Sequence, residues 1–250
     1  MNDVYRIIVN HPQLISFWDF AEQPGQEAIA KGPFPYPLTE MAGPIERVEN
    51  GPFGAAAQVK LGQWWNLPRH ACPELNFHGK DAKLTVLAWL KRENIPNRGC
   101  EAIAGMWNET EKKRQYCMFV NLNIWDSADQ VCGHVSAVGG PTPGYKYCMT
   151  SAIGSTPIVK EEWHCVAFTY DGQYAKVYLD GVLDERENFN PYLYDSGLFD
   201  GGDDGADFTV AAVHRSNEMG NFYTGAIGGL AVFKEALGED ELAKLCEITV

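Results

Sequence analysis

The chain has 250 residues, 45% hydrophobic and 12% aromatic, with a formal net charge of −13 at pH 7. That composition is globular rather than disordered, and a chain of this length buries about three quarters of its unfolded surface on folding. The acidic balance, with no Lys/Arg cluster to offset it, repels phosphate backbones and argues against nucleic acid as a partner, while neutral ligands and divalent cations are compatible with it. No run approaches the ~18 apolar residues of a membrane span. The opening MNDVYRIIVNHPQLISFW lacks the basic-then-apolar order of a signal peptide. The expected location is the cytoplasm, or a larger exported protein of which this chain is a segment. Seven cysteines, an odd number with no CxxC spacing, read as buried free thiols in a reducing compartment. One or two disulfides in an exported protein are the alternative.

Taken in order, residues 14–20 (LISFWDF) read as a first strand, and 21–55, rich in Pro and Gly, as an irregular excursion. Strands follow at 56–61, 82–91, 103–107, 116–122 and 131–138, with a turn-rich loop at 139–144 (GGPTPG). Residues 163–188 (WHCVAFTYDGQYAKVYLDGVLDEREN) are the most informative. Asp171-Gly172 and Asp180-Gly181 each sit between β-branched and aromatic runs, and Asp-Gly suits the two positive-φ positions of a type I′ hairpin turn. Period-two alternation puts Val166, Phe168 and Tyr170 on one face, and Ala175, Val177 and Leu179 on one face of the next strand. An acidic, Gly-rich loop spans 195–207, and strands at 208–213 and 222–233 close the system. One helix is expected at 239–245, with Gly238 as N-cap and three acidic residues at the positive end of its dipole. The prediction is an all-β, two-sheet antiparallel sandwich of one domain, residues 1–250, with one short C-terminal helix.

Five segments carry a family resemblance: LISFWDFAEQPGQ, NGPFGAAAQVKLG, KLTVLAWLKRE, EEWHCVAFTYDGQYAKVYLDG and NFYTGAIGGLAVFKEALGEDELAKL. In this order they resemble the laminin-G-like, concanavalin A-like lectin/glucanase jelly-roll domains over nearly the whole chain. The resemblance implies two stacked curved sheets, one concave, and a role in binding glycans or proteins or in cleaving polysaccharides. Fold alone does not choose among these. Many relatives carry an Asp-Glu pair in the closing strand where this chain has Gly228 and Gly229. Two glycines there predict a bulge or a close backbone approach, and leave the strand without carboxylates.

Laminarinase-type members of this fold carry Glu-x-Asp-x-x-Glu on one strand, with carboxylates about 5–5.5 Å apart in retaining enzymes. That motif is absent, and Glu109-Thr110-Glu111 and Asp184-Glu185-Arg186-Glu187 read as solvated charge. A polysaccharide lyase would use His and Tyr with Arg and Gln. His134, Tyr145, Arg114, Gln115, His214 and Arg215 supply the types without the usual local patterns. Cys132 and His134, two apart on one strand face, are the nearest approach to a nucleophile pair. For metals, Asp200, Asp203, Asp204 and Asp207 offer hard oxygen ligands in a glycine-rich loop, as Ca²⁺ prefers, with Asp19 a weaker second candidate. No zinc spacing and no organic cofactor motif is present. For sugars, Gln115, Asn121 and Asn123 share strand parity with Trp125 just beyond, and His134 and Ser136 share it on the next strand. Tyr145, Tyr147, His214, Arg215 and Asn217 are placed to rim the same concavity. The leading expectation is a non-catalytic, lectin-like module whose partner is a carbohydrate or glycoconjugate. The alternatives are a polysaccharide hydrolase or lyase and a protein-interaction module, with oligomeric state open.

Overall fold

The computed structural model describes residues 3–95 and 99–247. Its strands form two antiparallel sheets packed face to face, as the alternation predicts. Neighbours in the first sheet run Val182–Leu183, Tyr174–Leu179, His164–Tyr170, Leu84–Arg92, Gly225–Phe233, Gly54–Val59 and Glu46–Gly51. Leu14–Trp18 also pairs with Gly225–Phe233, and Tyr192–Leu193 with Tyr174–Leu179. The second sheet runs Ser151–Ile153, Val131–Val135, Lys113–Val120, Glu101–Asn108, Phe208–Val210, Trp64–Leu67, Pro37–Met41 and Ala28–Ile29. A small hairpin, Val213–Arg215 with Glu218–Gly220, joins it where His214 pairs with Asn108.

Period two decides which side chains enter the layer between the sheets. From Leu84–Arg92, Val86, Ala88 and Leu90 join the interlayer core, and so do Val166, Phe168 and Tyr170 from the adjacent strand. The alternate residues Leu87, Trp89, Cys165 and Ala167 face outward, yet they are buried too. Two seven-residue helices explain this. Asp3–Val9 contributes Val4 and Ile8, and Glu239–Leu245 contributes Leu242 and Leu245, to an apolar layer over the outside of the first sheet. Both flanks of the central strand are therefore apolar, and it reads as a nearly continuous hydrophobic run.

Gly228 and Gly229 interrupt the closing strand as expected, with a register shift between Ile227 and Gly229. A Cβ on Gly229 would lie 2.8 Å from the Phe53 ring and 3.0 Å from Trp89, and one on Gly228 3.1 Å from Trp163. Bare backbone is what lets these rings lie against the sheet.

The structure corrects the expected elements at four places. The 21–55 excursion holds strands Ala28–Ile29, Pro37–Met41 and Glu46–Gly51. The helix Asp3–Val9 has a short amphipathic pattern that the apolar run after it obscures. Asp180 and Gly181 both take positive φ, 51° and 82°, as a type I′ turn requires. Asp171-Gly172 does not form that turn. Register pairs Tyr170 with Ala175, so Gly172 and Gln173 are the central residues, and only Gly172 (φ 91°) is left-handed. This is the Gly-first pattern of a type II′ turn. Asp171 instead caps it, its carboxylate accepting from the Gln173 and Tyr174 amides at 2.9 and 2.6 Å. Finally, Cys165 and Cys246 form a disulfide that ties the end of the second helix to the first sheet, while Cys72, Cys100, Cys117, Cys132 and Cys148 are free. The all-thiol reading of the cysteines therefore fails at this pair.

Candidate functional site

The outside of the second sheet is built differently. Trp107, Phe119, Cys117 and Cys132 point outward into a small apolar cluster, and loops rather than helices lie over it. Between loops and sheet is a cavity of about 250 Å³. Three neighbouring strands supply its floor: Trp107, Phe119 and His134. The His134 ring stacks on Trp107, with centroids 4.9 Å apart and planes 27° apart, and meets Phe119 edge-on at 5.4 Å. Its Nδ1 lies 2.9 Å from the Thr150 carbonyl, which can only accept, so Nδ1 carries the proton and fixes the ring.

The walls are polar and come from loops and from the small Val213–Gly220 hairpin. Glu109 accepts from the Trp107 indole at 3.3 Å and lies 3.5 Å from the Arg114 guanidinium. Arg114 also packs over the Trp107 ring, 5.9 Å from its centroid. Arg215 donates to Asn221 at 2.5 Å, and both line the cavity with Asn123, Tyr147 and Cys148. Burial raises the Cys148 thiol, but hydrogen bonds from His134 and Thr150 and the His134 charge outweigh it, leaving the thiol near 7. Its Sγ lies 3.2 Å from the Thr150 hydroxyl.

Of the ten residues expected to bind ligand, three line this cavity: Asn123, His134 and Arg215. Gln115 does not. The register passes from Met106–Tyr116 to Trp107–Arg114, which makes Gln115 the extra residue of a bulge. It is 1% exposed, accepts from Arg69 at 3.1 Å, and donates to Asn76 at 2.8 Å and to the Phe77 carbonyl. Asn121 is fully buried, donating to the Gly99 carbonyl at 2.8 Å and accepting from the Asp129 amide. Parity failed here because the strand ends at Val120, and Asn121, Asn123, Trp125 and Asp126 then take φ of 55°, 57°, 52° and 56°. Ser136 is buried, its hydroxyl accepting from the Gly139 amide. Trp125 and Tyr145 form an exposed edge-on pair 6.1 Å apart, close in sequence to the lining residues Ile124 and Tyr147. His214 lines a second cavity with Trp64 and Asn66, which Trp107 also borders. Asn217 is exposed in the hairpin turn.

Sequence reasoning missed Trp107, Glu109, Phe119, Cys148 and Asn221. Trp107 and Phe119 do have outward parity, but an apolar strand covered on both faces gives no sign of which cover is incomplete. The Cys132–His134 pairing was half right. Cys132 shares the outward face, but burial pushes its thiol up to about 12, and Cys148 is the cysteine that lines the cavity with His134.

The carboxylates of the acidic loop do not converge. Among the described residues, no three His, Cys, Asp or Glu side chains gather where they could hold a metal ion. Asp207 accepts from the Arg69 amide at 2.9 Å and from Asn66, and Asp200 accepts from the Gly202 amide at 2.9 Å. Asp203 and Asp204 are exposed in the turn Gly202–Asp204, and Asp19 lies 3.5 Å from Lys31. This donor set does not fit Ca²⁺, which takes 6–8 converging oxygens.

Two stacked antiparallel sheets are the frame of a concanavalin A-like sandwich, and the comparisons agree on that fold. The chain belongs to the concanavalin A-like lectin/glucanases superfamily, whose Laminin_G_3 family model matches residues 70–243. Among solved structures it is similar to domain 4 of AbnA, a GH43 extracellular arabinanase from Geobacillus stearothermophilus, in complex with arabinotriose. That match has 18% identity and a TM-score of 0.64, and covers 94% of this chain and 98% of that domain. Trypanosoma rangeli sialidase in complex with sialic acid aligns at 16% identity and a TM-score of 0.61, over 95% of this chain but 33% of the sialidase. The botulinum neurotoxin serotype D ligand binding domain in complex with N-acetylneuraminic acid aligns at 12% and 0.57, over 98% of this chain and 52% of that one. At these identities the likeness is one of fold. No curated protein matches in sequence. Among the described residues, no helix is long and apolar enough to cross a membrane.

Proposed function

We propose that this chain is a non-catalytic carbohydrate-binding module that holds a sugar in the cavity over Trp107. The observation that carries this reading is an aromatic floor walled by groups that bond hydroxyls. A pyranose or furanose ring presents an apolar C–H face, which the Trp107–His134–Phe119 floor can accept. Its hydroxyls need both donors and acceptors, and Asn123, Asn221, Arg215 and Glu109 supply them. Glu109 is held by Arg114 and the Trp107 indole, so it suits an acceptor better than a proton donor to a leaving group. The fold supports the reading in general terms: solved neighbours include a domain holding arabinotriose and one holding N-acetylneuraminic acid.

Titration calorimetry with arabinotriose, other neutral oligosaccharides and a sialoside tests it. Binding to at least one of these is expected, with no new reducing ends on long incubation. Trp107→Ala is expected to weaken it at least about tenfold, and the exposed Asn123→Ala several-fold with the melting temperature unchanged. Release of reducing ends or of an unsaturated uronate would replace this reading with a polysaccharide-active enzyme.

A further inference from the structure

The sugar reading makes no use of the second cavity, yet Trp107 lines both. That second cavity, of about 300 Å³, is also lined by Trp64, Asn66, Asp207, Thr209 and His214. A third, of about 310 Å³, shares Arg215 and Asn221 with the first. The hollow over Trp107 is thus one of a joined series. Period two builds the second cavity as it builds the first. Trp65 and Leu67 enter the interlayer core, so Trp64 and Asn66 face outward; Phe208 and Val210 enter it, so Thr209 faces outward. The strands carrying Trp64, Thr209, Trp107, Phe119 and His134 are consecutive neighbours in the sheet. Four steps between strands come to about 19 Å, too far for a single sugar ring to span.

From this continuity we infer that the face binds a neutral oligosaccharide laid across the strands, with Trp64 and His214 forming a second sugar subsite beside the one over Trp107. The inference rests on the sugar reading and extends it from a single ring to a chain. The half-buried Trp64 ring offers an apolar surface to a sugar C–H face. Nδ1 of His214 is buried and has no hydrogen-bond partner among the described residues, whereas Nδ1 of His134 is tied to the Thr150 carbonyl. Nothing in the protein holds the His214 ring by that nitrogen, and a guest hydroxyl would satisfy it. Asp207 accepts from the Arg69 amide and from Asn66, and its carboxylate keeps lone pairs for a hydroxyl donor. Glu111 on the same wall is paired with Lys113 at 2.6 Å, which leaves Asp207 as the charge facing the cavity. That charge repels an acidic sugar and accepts a neutral one.

The probes are arabinose oligomers and glucose oligomers, each from monomer to pentamer, titrated calorimetrically into the native chain and into Trp64→Ala and His214→Ala. In the native chain, affinity for at least one series is expected to rise at least about tenfold from the shortest oligomer that binds to the pentamer. Trp64→Ala is expected to abolish that rise and leave the shortest binder's affinity unchanged, with His214→Ala giving a several-fold loss on the pentamer alone. Equal native affinity at every length, or a rise that survives Trp64→Ala, would overturn the second subsite and leave the sugar reading standing. Equal loss at every length would place Trp64 in the first cavity's work and overturn it likewise. A sialoside bound without any neutral oligomer has the same effect. No binding of any sugar overturns both readings together. If Trp64→Ala lowers the melting temperature, His214→Ala, in the small hairpin, decides in its place: an undiminished pentamer affinity there is fatal.

Discussion

The two outer faces of this sandwich carry the same kind of strand and end in opposite states. Over the first sheet, Phe17, Trp89 and Phe233 are covered by Val4, Ile8, Leu242 and Leu245 from two helices. Over the second, Trp107 and Phe119 are covered by loops that leave a cavity. The strands do not determine the difference; their covers do. A helix lays a continuous apolar stripe on a sheet, whereas a loop must keep its own amides and carbonyls satisfied and so brings polar groups with it. That is how Asn123 and Asn221 come to stand over an aromatic floor, with Arg215 reaching in from the neighbouring hairpin.

The contrast is breakable from either side. Trp89→Ala should have the largest effect, about 3–5 kcal/mol of stability by urea titration, with sugar affinity unchanged; a loss below 1 kcal/mol would mean that the helical cover collapses into the gap. Cys246→Ser should cost about 2–4 kcal/mol by releasing the second helix from the sheet, and reductant should lower the native melting temperature but not the variant's. Gly229→Ala should cost about 1–3 kcal/mol, because its Cβ would lie 2.8 Å from the Phe53 ring. Neutral stability there would show that the rings can retreat.

The smallest effect concerns pH. The Asp180 carboxylate, 2.8 Å from Nδ1, raises the His164 imidazole against the opposing effect of burial. The charged ring thus favours the folded state fully below about pH 6.5, and that contribution fades as pH rises through the raised folded value. His164→Gln should flatten this slope in thermal melts between pH 6 and 8, and an unaltered slope would remove the pair from the account. A chelator is expected to leave the melting temperature unchanged, since Asp200 and Asp207 bond to the protein's own amides and Asp203 and Asp204 are exposed in the turn between them.

Strand faces were legible wherever alternation met a turn signal. Val166, Phe168 and Tyr170 lie where period two puts them, and Glu239–Leu245 is the helix its acidic first turn announces. The turn at Gly172 was located but shifted by one residue, because Asp171 serves better as an amide acceptor than as a left-handed residue. The site was far less legible. Gln115 and Asn121 failed for local reasons, a bulge and a strand that stops early, and neither leaves a mark in a pattern of alternation. Cys148 gave no signal because it joins His134 in the cavity lining from a loop 14 positions along the chain. Pairings of that kind are fixed by loop paths, which depend on contacts between distant segments.

Gly228 and Gly229 have a consequence that reaches past the bulge they make. Pro52, Phe53 and Trp163 settle onto bare main chain at that point, so the closing strand wears a skin one ring thick. Two absent side chains thereby let the outer cover reach down to the peptide backbone itself, where any added Cβ would force Pro52 or the rings to shift.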